Sequence, residues 1–143
     1  MAANNDPIWV KTPGTPVYGV TLGTSIVSDT DGTGANNVLL FTAGSEGAFI
    51  TKITLMAKGT NAVGVVRVYI NSGQGANTTA ANNHMIAEVG LPASTASTTV
   101  AAAGPVVIPI MDRIEAGAKI YAGISAGAAL ASGWSPRVWA GQY

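Results

Sequence analysis

Phe49-Ile50-Thr51-Lys52-Ile53-Thr54-Leu55-Met56 and Val65-Val66-Arg67-Val68-Tyr69-Ile70 are the stretches whose reading decides the fold. In the first, Phe49, Thr51, Ile53 and Leu55 fall on one face and Ile50, Lys52, Thr54 and Met56 on the other, a period of two. In the second, Val66, Val68 and Ile70 oppose Val65, Arg67 and Tyr69. β-Branched and aromatic residues dominate both runs, which suits a pleated, half-buried surface. Lys58-Gly59-Thr60-Asn61 between them has the composition of a turn. The pattern predicts two antiparallel strands joined by a short loop at the centre of a sheet.

Working outward, the same pattern recurs at short intervals. Residues 17–27 alternate weakly and are expected to form the first strand. Val38-Leu39-Leu40-Phe41-Thr42 is a continuous apolar run and reads as a buried strand. His84-Met85-Ile86-Ala87-Glu88-Val89 is the next, with His84, Ile86 and Glu88 expected on one face. Residues 94–100 are weakly apolar and read as an edge or a connection. Val106-Val107-Ile108-Pro109-Ile110 carries a proline that cannot donate to a ladder, which places it at an edge or a bulge. After a solvated turn come Lys119 to Ser125, with Ile120, Ala122 and Ile124 on one face, and a final strand from Ser135 to Tyr143 with Arg137, Trp139 and Gly141 together. About eight short strands spaced roughly 8–12 residues apart, with almost no helical periodicity, predict an all-β antiparallel sandwich, for which a jelly roll is the expected eight-strand solution.

The N-terminal segment, residues 1–16, reads differently. Pro7, Pro13 and Pro16 disfavour helix and central strand and favour an extended path. Ile8-Trp9-Val10 is a costly apolar triplet to leave in water, and Trp is a common interface anchor. The expectation is an extended arm docking on a neighbouring subunit, followed by one β-sandwich domain over residues 17–143.

Charge narrows the function. Charged residues make up 10% of the 143, and seven Lys and Arg cancel seven Asp and Glu. A neutral balance argues against a nucleic-acid or anionic-membrane partner, which would need a basic face. Soluble monomers usually carry about 25% charge. So sparse a supply predicts a chain packed against copies of itself or against another protein, through contacts that depend only weakly on salt. There is no cysteine, hence no disulfide framework and no thiolate metal site. The first residues lack the basic and apolar regions of a signal peptide, and the uncharged segment 89–111 is broken by Pro92, Pro105 and Pro109, so no spanning helix is expected.

No constellation of catalytic residues stands out. Asp29-Thr30-Asp31-Gly32-Thr33-Gly34 imitates the opening of a calcium loop, but the twelfth position is Leu40 where a bidentate Glu belongs. An Asx-turn is the favoured reading. His84 is the single histidine and has no evident partner, so a surface role is favoured over a metal or acid–base one. With no nucleophile elbow or phosphate loop, neither an enzyme nor a cofactor is expected. The polar segment 71–80 is the expected contact tip.

The stretches Leu91-Pro92, Val107-Ile108-Pro109-Ile110, Glu115-Ala116-Gly117-Ala118-Lys119-Ile120-Tyr121-Ala122-Gly123-Ile124, Gly133-Trp134 and Val138-Trp139-Ala140-Gly141-Gln142-Tyr143 resemble small structural proteins of tailed bacteriophages, closest to capsid cement (decoration) proteins with jelly-roll folds. The resemblance covers roughly the last half of the chain. It implies a homotrimer seated on the capsid exterior of a virion, clamping major-capsid-protein capsomers, with arms reaching adjacent subunits. It carries over no catalytic or binding residue. The interface residues expected from the chain's own apolar triplet and strand aromatics are Ile8, Trp9, Val10, Trp134, Trp139 and Tyr143. The competing reading is a tail or fibre protein, or a receptor-binding module holding carbohydrate on a platform drawn from Tyr69, Tyr121, Trp134, Trp139 and Tyr143.

Overall fold

Two antiparallel sheets packed face to face form the molecule, which we describe from a computed structural model covering residues 12–13, 20–72 and 75–143. The strands are β1 (Thr12–Pro13), β2 (Val38–Thr42), β3 (Ala48–Ala57), β4 (Gly64–Asn71), β5 (Asn83–Leu91), β6 (Val106–Ile114), β7 (Lys119–Ser125) and β8 (Trp134–Gln142). One sheet has the order β1-β8-β3-β6 and the other β2-β7-β4-β5. The all-β sandwich expected from the sequence is thus observed. Among the described residues the one helical element is a single 3-10 turn, Ala80–Asn82, and no helix is long and apolar enough to cross a membrane.

The two stretches that open the sequence reading are strands, but they do not pair. β3 lies between β8 and β6 in one sheet, and β4 lies between β7 and β5 in the other. Residues 58–63 are therefore an arch across the sandwich rather than a hairpin turn. Both strands carry a strongly apolar inward row: Ala48, Ile50, Ile53 and Leu55 on β3, Val66 and Val68 on β4, all fully buried. Placing them in opposite sheets lets these rows pack against each other, about 10 Å apart. Each Val, Leu or Ile side chain so buried stabilises the fold by roughly 1.5–3 kcal/mol.

Bulges reset the faces that simple alternation assigns. The β3 register slips between Ile50 and Lys52 against both neighbours. Ile50 therefore points inward with Ile53 and Leu55, while Phe49, expected beside them, is only half-buried. A slip between Leu39 and Phe41 buries both Leu40 and Phe41. In β5 the slip opposite Val68 and Tyr69 sets His84 against Ile70 and Glu88 against Arg67, so His84 and Glu88 lie on opposite faces, contrary to the expected alternation. β6 is an edge strand bearing Pro109 beside its own irregularity, where Met111 adopts φ 53°; this is the placement the proline predicts.

The expected first strand over residues 17–27 is not found within its described part, 20–27. Leu22 makes an isolated bridge to Trp134, and Val27 N donates to Ile124 O. From there residues 27–37 fold over the outer face of the β2-β7-β4-β5 sheet. Gly123 on β7 allows this close approach, because a Cβ there would overlap Val27 and Asn37 Oδ1. Gly32, at φ +80°, lies over the Tyr69 ring. Tyr69 and Tyr121 consequently point outward from their sheet yet are buried.

Candidate interaction surface

The loop that resembles a calcium loop spends its carboxylates on itself. Asp29 Oδ1 accepts from Gly32 N and Asn37 Nδ2, and Asp31 Oδ1 accepts from Thr33 N and Thr33 Oγ1. These are the Asx-turn bonds expected. The Thr33 bonds hold the Asp31 carboxyl below the ordinary range for an aspartate. Among the described residues no group of three or more His, Asp or Glu converges on one point. His84 is exposed on the edge strand β5.

The described part of the 71–80 segment is tied down rather than projecting. Asn77 Nδ2 donates to Gly32 O at 2.6 Å, and Asn83 Nδ2 donates to Asn77 O at 2.7 Å. It thereby braces Gly32, which lies over the Tyr69 ring. One face of the sandwich is thereby covered by the chain's own loops, and Arg67 crosses it, bonded to Ser125 Oγ at 2.7 Å and paired with Glu88 at 3.0 Å.

The outer face of the β8-β3-β6 strands carries no such cover among the described residues. Register places Lys52 opposite Trp139, and Thr54 opposite both Arg137 and Val107. The Trp139 indole reaches diagonally across to Thr54, donating Nε1–H to Oγ1 at 3.2 Å. Lys52 Nζ lies 4.9 Å and Arg137 Cζ 4.1 Å from its ring centroid. Trp139 is 39% exposed, with Met56 at 46% and Val107 at 49% on the same face. Trp, Arg and Met are the residues enriched where proteins meet. Such a face can bury apolar area at its centre while its guanidinium and ammonium groups select acidic neighbours.

Of the interface residues read from the sequence, Ile8, Trp9 and Val10 lie outside the described residues. Trp139 stands on the open face. Tyr143 is half-buried, with the Arg113 guanidinium stacked 4.7 Å from its ring centroid. Trp134 requires a correction: it is 0% exposed and belongs to the core, because it begins β8 on the inward phase that Val138 continues. Five residues of the open face, Lys52, Thr54, Met56, Val107 and Arg137, were not in the expected set. Their signal was present, since Lys52, Thr54 and Met56 share the mixed face of the opening stretch and Arg137 shares the phase of Trp139.

The sugar platform is not assembled. Tyr69, Tyr121 and Trp134 are buried, and the rings of Trp139 and Tyr143 each have a cation against them. The chain matches no family model, no curated protein and no solved structure.

Proposed function

We propose that the chain is a non-enzymatic structural protein of a virion, a homotrimer that binds the outer surface of a phage capsid and cements neighbouring capsomers of the major capsid protein. The observation that carries this reading is the division of the sandwich into one face covered by its own loops and one face that the described residues leave open, with Trp139, Arg137, Lys52, Met56 and Val107 upon it. A protein that works by mechanical reinforcement needs such a surface and needs no cleft. Strand order lends support. β1 pairs with β8, β2 with β7, β3 with β6 and β4 with β5, the pairing obtained by winding one long hairpin into two sheets, as in a jelly roll.

The reading predicts where the protein sits. Gold-labelled antibody against the chain, viewed on whole particles by negative stain, should decorate the head at many sites. Label confined to the tail or its fibres would replace cementing with the receptor-binding reading.

A further inference from the structure

We propose that the open β8-β3-β6 face is the seat for a second copy of this chain, docking the acidic end of one sandwich onto the Lys52–Trp139–Arg137 cluster of the next; this rests on the self-associating reading above and names its contact. The charges within one chain lead to this occupant. Lys52 and Arg137 each meet only the Trp139 ring, with no carboxylate partner among the described residues. The described carboxylates can then be sorted. Asp29 and Asp31 are engaged by their own loop, and Glu88 is paired with Arg67. That leaves Glu46 and Glu115, together with Asp112, whose Oδ1 accepts from the neighbouring Arg113 N; all three are exposed.

These three lie together at one end of the sandwich. The turn containing Glu46 abuts the one containing Glu115: Gly117 N donates to Gly44 O, and a Cβ on Gly47 would press on Ile114 O and the Glu115 backbone. Asp112 enters the same end, opposite Ile50 near the start of β3. Arg113, stacked on Tyr143, and Lys119, donating Nζ–H to Gly75 O, stand at the same end, so among the described residues three carboxylates there outnumber two cations. Cationic face and acidic end are two different patches. A contact between different patches is heterologous; it builds a ring where the rotation per copy closes, one third of a turn for a trimer, and an open filament otherwise. Three strands about 4.8 Å apart and about 30 Å long present roughly 400 Å² of flat face, about half of the ~800 Å² per partner of a standard interface. Each contact is therefore weak alone and is held by ring closure, so assembly should depend on concentration and on salt.

The test uses the full-length free protein, without particles, in sedimentation velocity from 1 to 200 µM. Wild type should associate, and raising NaCl from 0.05 to 0.5 M should raise the concentration of half-assembly about tenfold. Lys52→Glu/Arg137→Glu and, separately, Glu46→Lys/Glu115→Lys should each be monomeric across the range, with unchanged circular dichroism and melting. Combining all four substitutions in one chain should restore association, since every contact then joins an acidic face to a basic end. A wild type that stays monomeric at 200 µM would overturn the proposal. So would a charge-reversed face that assembles like wild type, acidic-end variants that assemble normally, or a fourfold charge-swapped chain that stays monomeric. Particle binding is scored separately: rings that form but do not bind capsids defeat the cementing reading and leave this contact standing.

Discussion

Two tryptophans five positions apart on one strand have opposite duties. Trp134 is fully buried against the core, whereas Trp139 lies on the open face with two cations and a threonine hydroxyl around it. Trp134→Ala should cost about 3–5 kcal/mol in urea unfolding, the range for losing a buried large aromatic. Trp139→Ala should cost under about 1 kcal/mol, because exposed cation–π pairs are weak. It should nevertheless abolish association, since a central Trp is where binding energy concentrates. Strand parity alone separates the two, as 134 and 139 differ by an odd number. That distinction was legible, and aromatic content by itself hides it.

Tyr69 gives a second prediction at this scale. Burial, then the nearby Asp29 carboxylate, raise its phenol above the ordinary value of 10.0. Below that pH the phenol is neutral in both folded and unfolded chains. Above it the unfolded chain ionises first, so stability is lost as pH climbs through the folded-state value. The Tyr69 hydroxyl has no hydrogen-bond partner among the described residues. Tyr69→Phe should therefore cost little at pH 7. It should also flatten the alkaline loss, checked by melting temperature between pH 8 and 11. An alkaline limb unchanged by the substitution would assign the loss to another group.

Among the elements, the arch from β3 to β4 is what makes the fold a sandwich instead of a hairpin. Asn61 is its pin. Its Oδ1 accepts from Gly133 N at 2.7 Å and Ser132 N at 3.1 Å, its Nδ2 donates to Gly133 O at 2.9 Å, and its backbone bridges Ser94 in both directions. Asn61→Ala leaves the buried Gly133 amide and the half-buried Ser132 amide unpaired, while Gly133 O keeps the Lys58 N–H, and each buried orphan costs about 1–3 kcal/mol. A total loss of roughly 2–4 kcal/mol is expected, with hydrogen exchange rising first at the Gly133 amide. A loss below about 1 kcal/mol would mean that the arch is held by apolar packing instead. The sequence shows Asn61 as a turn residue but not as a pin, because its partners lie 33 and 72 positions away. The bulges are hidden for a similar reason. Periodicity assigns Ile53 and Leu55 correctly, but a single extra residue brings Ile50 round to join them. Strands and their apolar rows were thus readable from β3, β4 and β7, whereas sheet partners and the phase after each bulge depend on contacts between distant segments.

For the whole molecule, a scarcity of charge is less informative than its arrangement. Composition alone predicts attachment that depends only weakly on salt. The structure places Lys52 and Arg137 on one face and Glu46, Asp112 and Glu115 at one end, where each group can act on a neighbour. Assembly should accordingly weaken at high ionic strength, while apolar burial by Trp139, Met56 and Val107 persists. Shallow contacts suffice when they are many, because a ring binding several capsomers at once gains retention through avidity. Cementing is the central claim, and it is measured on particles directly. Capsids are stripped of the protein, half are given it back, and both are heated while DNA release is followed by dye fluorescence. Restored capsids should release their DNA at a temperature several degrees higher than stripped ones, and adding back Trp139→Ala protein should give no such gain. Equal release temperatures with and without the wild-type protein would contradict the account.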